Sequence, residues 1–189
     1  MAMKPGERRL SILQTLAAML ENPRSEKVTT AALAAKLEVS EAALYRHFAS
    51  KAQRYEGLIE FIETTLFSFI NKIQTETIEG EAQAEQTVVM LLSFAEKNPG
   101  MTRVLIGEAL VHEDERLQAR INQLTDKLEA ALRQSLRIAQ AANGWHGDAQ
   151  ADAAVLIAYV LGRWQLFAKS GFKRMPQDGW ALQRKFLFG

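Results

Sequence analysis

Between residues 117 and 136 apolar side chains recur at intervals of three and four: Leu117, Ile121, Leu124, Leu128, Leu132 and Leu136. That spacing puts all six on one stripe of an α-helix and on no single face of a strand. The same period runs through most of the 189 residues, and no stretch alternates apolar and polar residues as a half-buried strand does. The chain therefore reads as all-α. Four prolines, at 5, 23, 99 and 176, fall between the periodic segments, where a residue lacking an N–H is tolerated.

About nine helices are expected. The first spans about 7–21, with Leu10, Leu13, Leu16, Ala17 and Leu20 facing inward and Asn22-Pro23 ending it. A second runs from Thr29-Thr30 to Leu37, and a third from Ser40 to about Phe48. Ser50-Lys51 opens a long fourth helix to about Gln74, whose stripe is Leu58, Ile59, Ile62, Leu66, Phe69, Ile70 and Ile73. A fifth over about 81–97 buries Val88, Val89, Leu91, Leu92 and Phe94, and Asn98-Pro99-Gly100 stops it. A short sixth covers 101–110, a seventh 113–140, and an eighth, apolar on most sides, 149–169. Trp180, Leu182, Phe186 and Phe188 add apolar surface at the end of the chain. The expected domains are a small N-terminal head, 1–52, and a larger helical body, 53–189.

The absence of cysteine removes disulfides, thiolate metal sites and cysteine nucleophiles together, and suits a reducing cytoplasm. The net charge of +1 divides unevenly. Residues 1–55 hold nine Lys/Arg against five Asp/Glu, a net of +4, while 56–189 hold fourteen against seventeen, a net of −3. A basic head on an acidic body suits a polyanion that meets one end only. The longest apolar run, Ala153 to Gly162, has ten residues, short of the roughly 20 that a membrane span requires, so no membrane is expected. Lys4, Arg8 and Arg9 precede an apolar stretch, but polar residues interrupt it, so an amphipathic helix is expected there and not a signal peptide.

The segment 29–51 reads as helix, tight turn, helix. Leu33, Ala34, Leu37, Val39, Leu44 and Phe48 supply its small shared core, and Ser40 can cap the second helix by accepting from the Ala43 N–H. Ala42 and Ala43 keep the first turn of that helix slim, as entry into a major groove requires. They can touch thymine methyl groups beside Ser40 and Glu41, and Arg46 can reach guanine or a phosphate. Tyr45 and His47 can donate to phosphate oxygens, and Thr29, Thr30 and Lys51 sit at helix N-termini, where phosphate is favoured.

The ordered run Tyr45-Arg46-His47-Phe48, followed by Ser50-Lys51 and placed after one N-terminal helix, resembles the signature of the TetR family of regulators. The resemblance implies a three-helix DNA-binding domain with a helix-turn-helix, joined to a C-terminal helical domain. It also implies a homodimer on a palindromic duplex. Where the family usually has glycine in the turn, this chain has Glu38. A left-handed backbone there costs about 1 kcal/mol relative to glycine.

The matches continue through Leu58–Glu63, Asn98–Arg103 and Arg116–Leu124, and they resemble the nucleoid-occlusion members of that family. This implies a cytoplasmic, nucleoid-associated dimer that, when bound to DNA, blocks assembly of the division protein FtsZ. By position, the FtsZ tail would be met by Phe61, Met90, Ser93, Lys97 and Asn98. Those members have an arginine where this chain has Phe69.

Pairing is expected through the eighth and ninth helices, with Ala154, Ala158 and Gly162 permitting close approach and Trp164 adding apolar contact. An alternative function is a repressor in which a small molecule enters the helical body and spreads the heads, with Tyr159, Trp164 or His112 as polar handles. An enzyme is not expected. His47, His112 and His146 lie on separate elements, and no metal-spaced cluster, phosphate loop or nucleophile motif is present, so neither cofactor nor metal is expected.

Overall fold

The computed structural model describes residues 5–22 and 28–189. Among these residues it has no strand, nine α-helices and one 3-10 turn, Glu108–Leu110. The helices are α1 Pro5–Leu20, α2 Thr30–Lys36, α3 Glu41–Tyr45, α4 Lys51–Glu76, α5 Gly80–Lys97, α6 Pro99–Leu105, α7 Glu115–Ala141, α8 Ala149–Lys169 and α9 Trp180–Leu187. Pro23, expected to end the first helix, lies outside the described residues, as does Lys4.

Most boundaries follow local capping. Asp148 accepts from the Gln150 and Ala151 amides and starts α8 where expected. Ser50 Oγ accepts from the Gln53 amide at 3.1 Å, and Gln53 Oε1 accepts from the Ala49 amide at 2.8 Å, which closes the start of α4 from both sides. Two elements depart from the sequence reading. The third helix is shorter, because after Tyr45 the amides of His47 and Phe48 both turn onto the Leu44 carbonyl at 3.0 Å. The expected helix over 101–110 is divided: α6 ends before Gly107, whose φ of 76° breaks it, and the 3-10 turn follows.

The chain forms two compact units. Unit 1 comprises residues 1–62 and 98–121, and unit 2 comprises 63–97 and 122–189. Unit 1 packs Ile12, Leu13, Leu16, Leu33, Leu44, Phe48, Leu58 and Ile62 from the head helices with Met101, Val104 and Leu117 from the second segment. Its α1 stripe differs from expectation: Leu10 is 39% exposed, and Ile12 is the buried residue. Residues 12, 13, 16, 17 and 20 form the narrower stripe, and Leu10 lies at its margin. Gly100 meets the backbone of Ala17, so α6 rides directly on α1 where no Cβ intervenes.

In unit 2 the α7 stripe is buried from Leu124 to Leu136 as its period predicts, whereas Phe69 on α4 is 46% exposed. Gly80 lets the start of α5 lie against the α7 backbone at Ser135. Trp164 is 1% exposed and donates from Nε1 to the Leu91 carbonyl at 3.0 Å. Trp145, Trp180 and Phe188 meet edge to face, and Tyr159 adjoins Trp180, which folds the end of the chain onto α8. Among the described residues α8 alone is long and apolar enough to cross a membrane, with a mean hydropathy of 1.2. The ten-residue run noted above omits its flanking apolar turns. Leu156, Ile157, Val160, Trp164 and Phe167 are nonetheless packed inside the protein, as on a core helix.

Gly100→Ala forces a methyl group against the α1 backbone, which cannot give as a side chain can. The variant should lose about 1–3 kcal/mol of stability in chemical denaturation.

Candidate nucleic-acid interface

Two caps and one turn set the geometry of the helix pair α2–α3. Thr29 adopts an extended backbone, and its Oγ1 accepts from the Ala32 amide at 3.1 Å. Ser40 does the same for Ala43 at 3.2 Å, as its sequence position predicts. Between them, Glu38 takes a φ of 55°. Its amide donates to the Ala35 carbonyl at 3.1 Å and that of Val39 to Ala34 at 3.0 Å. This is the Schellman pattern, which answers the last carbonyls of α2 and reverses the chain.

The ten residues singled out from sequence all lie in unit 1. Thr29, Ser40, Glu41, Ala42, Tyr45 and Arg46 are exposed. Thr30, Ala43, His47 and Lys51 are half-buried. Ala42 and Arg46 are thus open to solvent, and the Arg46 guanidinium has no partner among the described residues. Ala43 and His47 turn partly inward, where they line a small cleft with Arg8, Ile12, Leu37 and Val39. Lys51 is already engaged: its Nζ lies 2.5 Å from Glu113. The pair is partly buried, and it offsets in the free protein the cation expected to meet phosphate.

Two arginines escaped the sequence reading. Arg9 lies over the Phe48 ring at 4.2 Å and donates to the His47 carbonyl at 3.2 Å, so it braces the end of α3 from α1. Arg54 is 1% exposed within α4 and donates to Thr30 Oγ1 at 2.6 Å. Its position four before Leu58, on the apolar stripe, was the available signal. Beside it, burial and, to a lesser degree, Glu113 push the Tyr55 phenol up to about 12, so this ring stays neutral in the physiological range. His112 is exposed, at the edge of a cleft of about 550 Å³ that Leu20, Val28, Tyr55 and Arg103 also line.

The left-handed turn gives a direct check on the local strain. Glu38→Gly should raise stability by about 1 kcal/mol, read as a higher thermal midpoint, because glycine adopts this φ without a Cβ penalty.

Comparison with known proteins agrees with this geometry. Residues 25–55 match the family described as bacterial regulatory proteins, tetR family. Residues 80–189 match the SlmA-like, tetracyclin repressor-like C-terminal domain. The chain is 49% identical to a nucleoid occlusion factor SlmA from Alteromonas mediterranea, over 94% of this chain and 92% of that protein. It is 48% identical to one from Vibrio cholerae, over 95% of each. Among solved structures, the fatty acid degradation regulator FadR from Bacillus halodurans superposes with a TM-score of 0.79 at 14% identity, over 99% of this chain and 97% of that one. A TetR transcription regulator from Haloarcula marismortui gives 0.77 at 15% identity, over 93% and 96%. At such identities the structural likeness speaks for the fold alone, whereas the relatives near one-half identity speak for the family. The chain belongs to the SlmA family of TetR-type bacterial regulators.

Proposed function

We propose that this chain is a nucleoid occlusion factor: a DNA-binding regulator, not an enzyme, that inhibits FtsZ assembly when it is bound to its sites. The observation that carries the reading is the 44–49% identity to proteins bearing that name, over more than nine-tenths of the chain. The same likeness extends through residues 80–189, which favours this function over a ligand-responsive repressor.

On this reading α3 enters the major groove of duplex DNA. Ser40, Glu41, Ala42, Ala43 and Arg46 face the bases, while Thr29, Thr30, Tyr45, His47 and Lys51 meet the backbone. Two copies pair through α8 and α9 on a palindromic site. Ala154, Ala158 and Gly162 form an exposed stripe at intervals of four, and a Cβ built at Gly162 meets nothing within 4 Å. Val155, Leu182 and Phe186, exposed at 56%, 68% and 90%, add apolar area suited to a second copy. Trp164 belongs to the interior of its own protomer and drops out of the pairing face.

The FtsZ tail would be met by Phe61, Met90, Ser93, Lys97 and Asn98, of which Lys97 is exposed and the others half-buried. Phe69 presents an exposed ring where the resemblance places a cation.

Three measurements test the proposal. FtsZ polymer sedimentation should fall on addition of the chain together with duplexes carrying its sites, and an undiminished pellet at saturating DNA would refute FtsZ inhibition. Phe69→Arg should strengthen the effect by supplying the missing cation to an acidic tail. In fluorescence anisotropy, Arg46→Ala should weaken binding to those duplexes by about 1–3 kcal/mol. Ala158→Glu should shift sedimentation equilibrium toward monomer and lower DNA affinity with it.

A further inference from the structure

The least expected charge in unit 1 is Arg54. Its side chain is 1% exposed, and no carboxylate among the described residues pairs with it. The nearby Glu113 is held by Lys51. One guanidinium nitrogen donates to Thr30 Oγ1 at 2.6 Å, Nη1 has no hydrogen-bond partner among the described residues, and the Tyr45 ring centre lies 5.8 Å from the guanidinium carbon. A desolvated cation with neither counter-ion nor a full set of acceptors is costly in the free protein. Such a group calls for an explanation.

Both of its neighbours point to one. Thr30 opens α2 directly after its cap Thr29, and Tyr45 closes α3; each is a residue assigned above to the DNA backbone. A threonine oxygen that accepts from Arg54 keeps its own proton for another acceptor, and no described residue takes it.

We propose that Arg54 is a positioning residue for a backbone phosphate of duplex DNA. It grips Thr30 by the oxygen and lies beneath Tyr45, so the Thr30 hydroxyl is set as an outward donor. The docked phosphate then supplies a negative charge that no described residue gives the buried guanidinium. The inference rests on the DNA-binding reading above and deepens it: one phosphate contact, made by the Thr30 hydroxyl, is set by a residue that does not itself reach the surface.

The test uses the full chain and a 30-base-pair mixed-sequence duplex (~30, since phosphate contacts do not need a particular sequence). Arg54→Met keeps the buried stem and removes the charge, Arg54→Lys keeps the charge, and Thr30→Val removes the hydroxyl. Affinity is measured against KCl concentration, with the thermal midpoint followed in parallel. Arg54→Met and Thr30→Val should each raise Kd about tenfold and each reduce the slope of log K against log salt by about one. The double variant should be no weaker than the singles, because both remove the same contact. Arg54→Lys should recover the slope. A merely structural Arg54 would shift the thermal midpoint of Arg54→Met and leave its Kd and slope at the wild-type values, which overturns the proposal. Multiplying effects in the double variant overturn it as well. Wild-type protein that binds no duplex would sink the DNA-binding reading together with this one, whereas wild-type binding with an unaltered Arg54→Met sinks this one alone.

Discussion

The last carbonyls of a helix have no donor of their own, and those of α1 are answered by a guanidinium 83 residues further along the chain. Arg103, on α6, donates to the Leu20 carbonyl at 2.9 Å and the Asn22 carbonyl at 3.2 Å, and Glu108 holds its Nε at 2.8 Å. With Gly100 against the backbone of Ala17, this fixes both the end and the flank of α1. The DNA-facing pair packs on that helix through Leu33, Leu44 and Phe48, and Arg9 reaches from it to the end of α3. The angle at which α3 is offered to a groove is therefore set by contacts that belong in part to residues 98–108, well outside the helix-turn-helix itself.

The second determinant is local. α2 and α3 have seven and five residues, too short to hold a helix by propensity. They persist because each start is capped by a hydroxyl, the turn between them closes as a Schellman pattern, and α1 and α4 cover their apolar sides. A left-handed Glu38 is the cost of that turn, and the buried Arg54 is a second local cost. Both fall next to residues that face the proposed ligand, where strain and unpaired charge are most often retained.

What could be read from the sequence was what depends on period and on short-range capping. The α7 stripe, the Ser40 cap and the limits of α8 are all local, and the structure has them where the residues imply. What could not be read depends on partners distant in the chain. Leu10 and Ile12 are both apolar on a helix of the right period, and only the surrounding elements decide which is covered. Lys51 looks like a free cation until Glu113 is brought to it across 62 residues. Trp164 suits a subunit contact by type, but its indole N–H is taken by a carbonyl of α5. Arg54 was concealed for the same reason, since an arginine within an amphipathic helix is normally on its wet side.

The placement of the aromatic residues has a practical result. All three tryptophans of the chain, Trp145, Trp164 and Trp180, fall in unit 2, while the DNA-facing unit holds only tyrosines among its hydroxylated rings, Tyr45 and Tyr55. Trp164 is sealed inside, and the other two sit in the cluster around Phe188. Indole emission will thus follow the melting of the C-terminal helices and be nearly blind to the head. A spectroscopic signal for the helix-turn-helix requires an added indole or a label there.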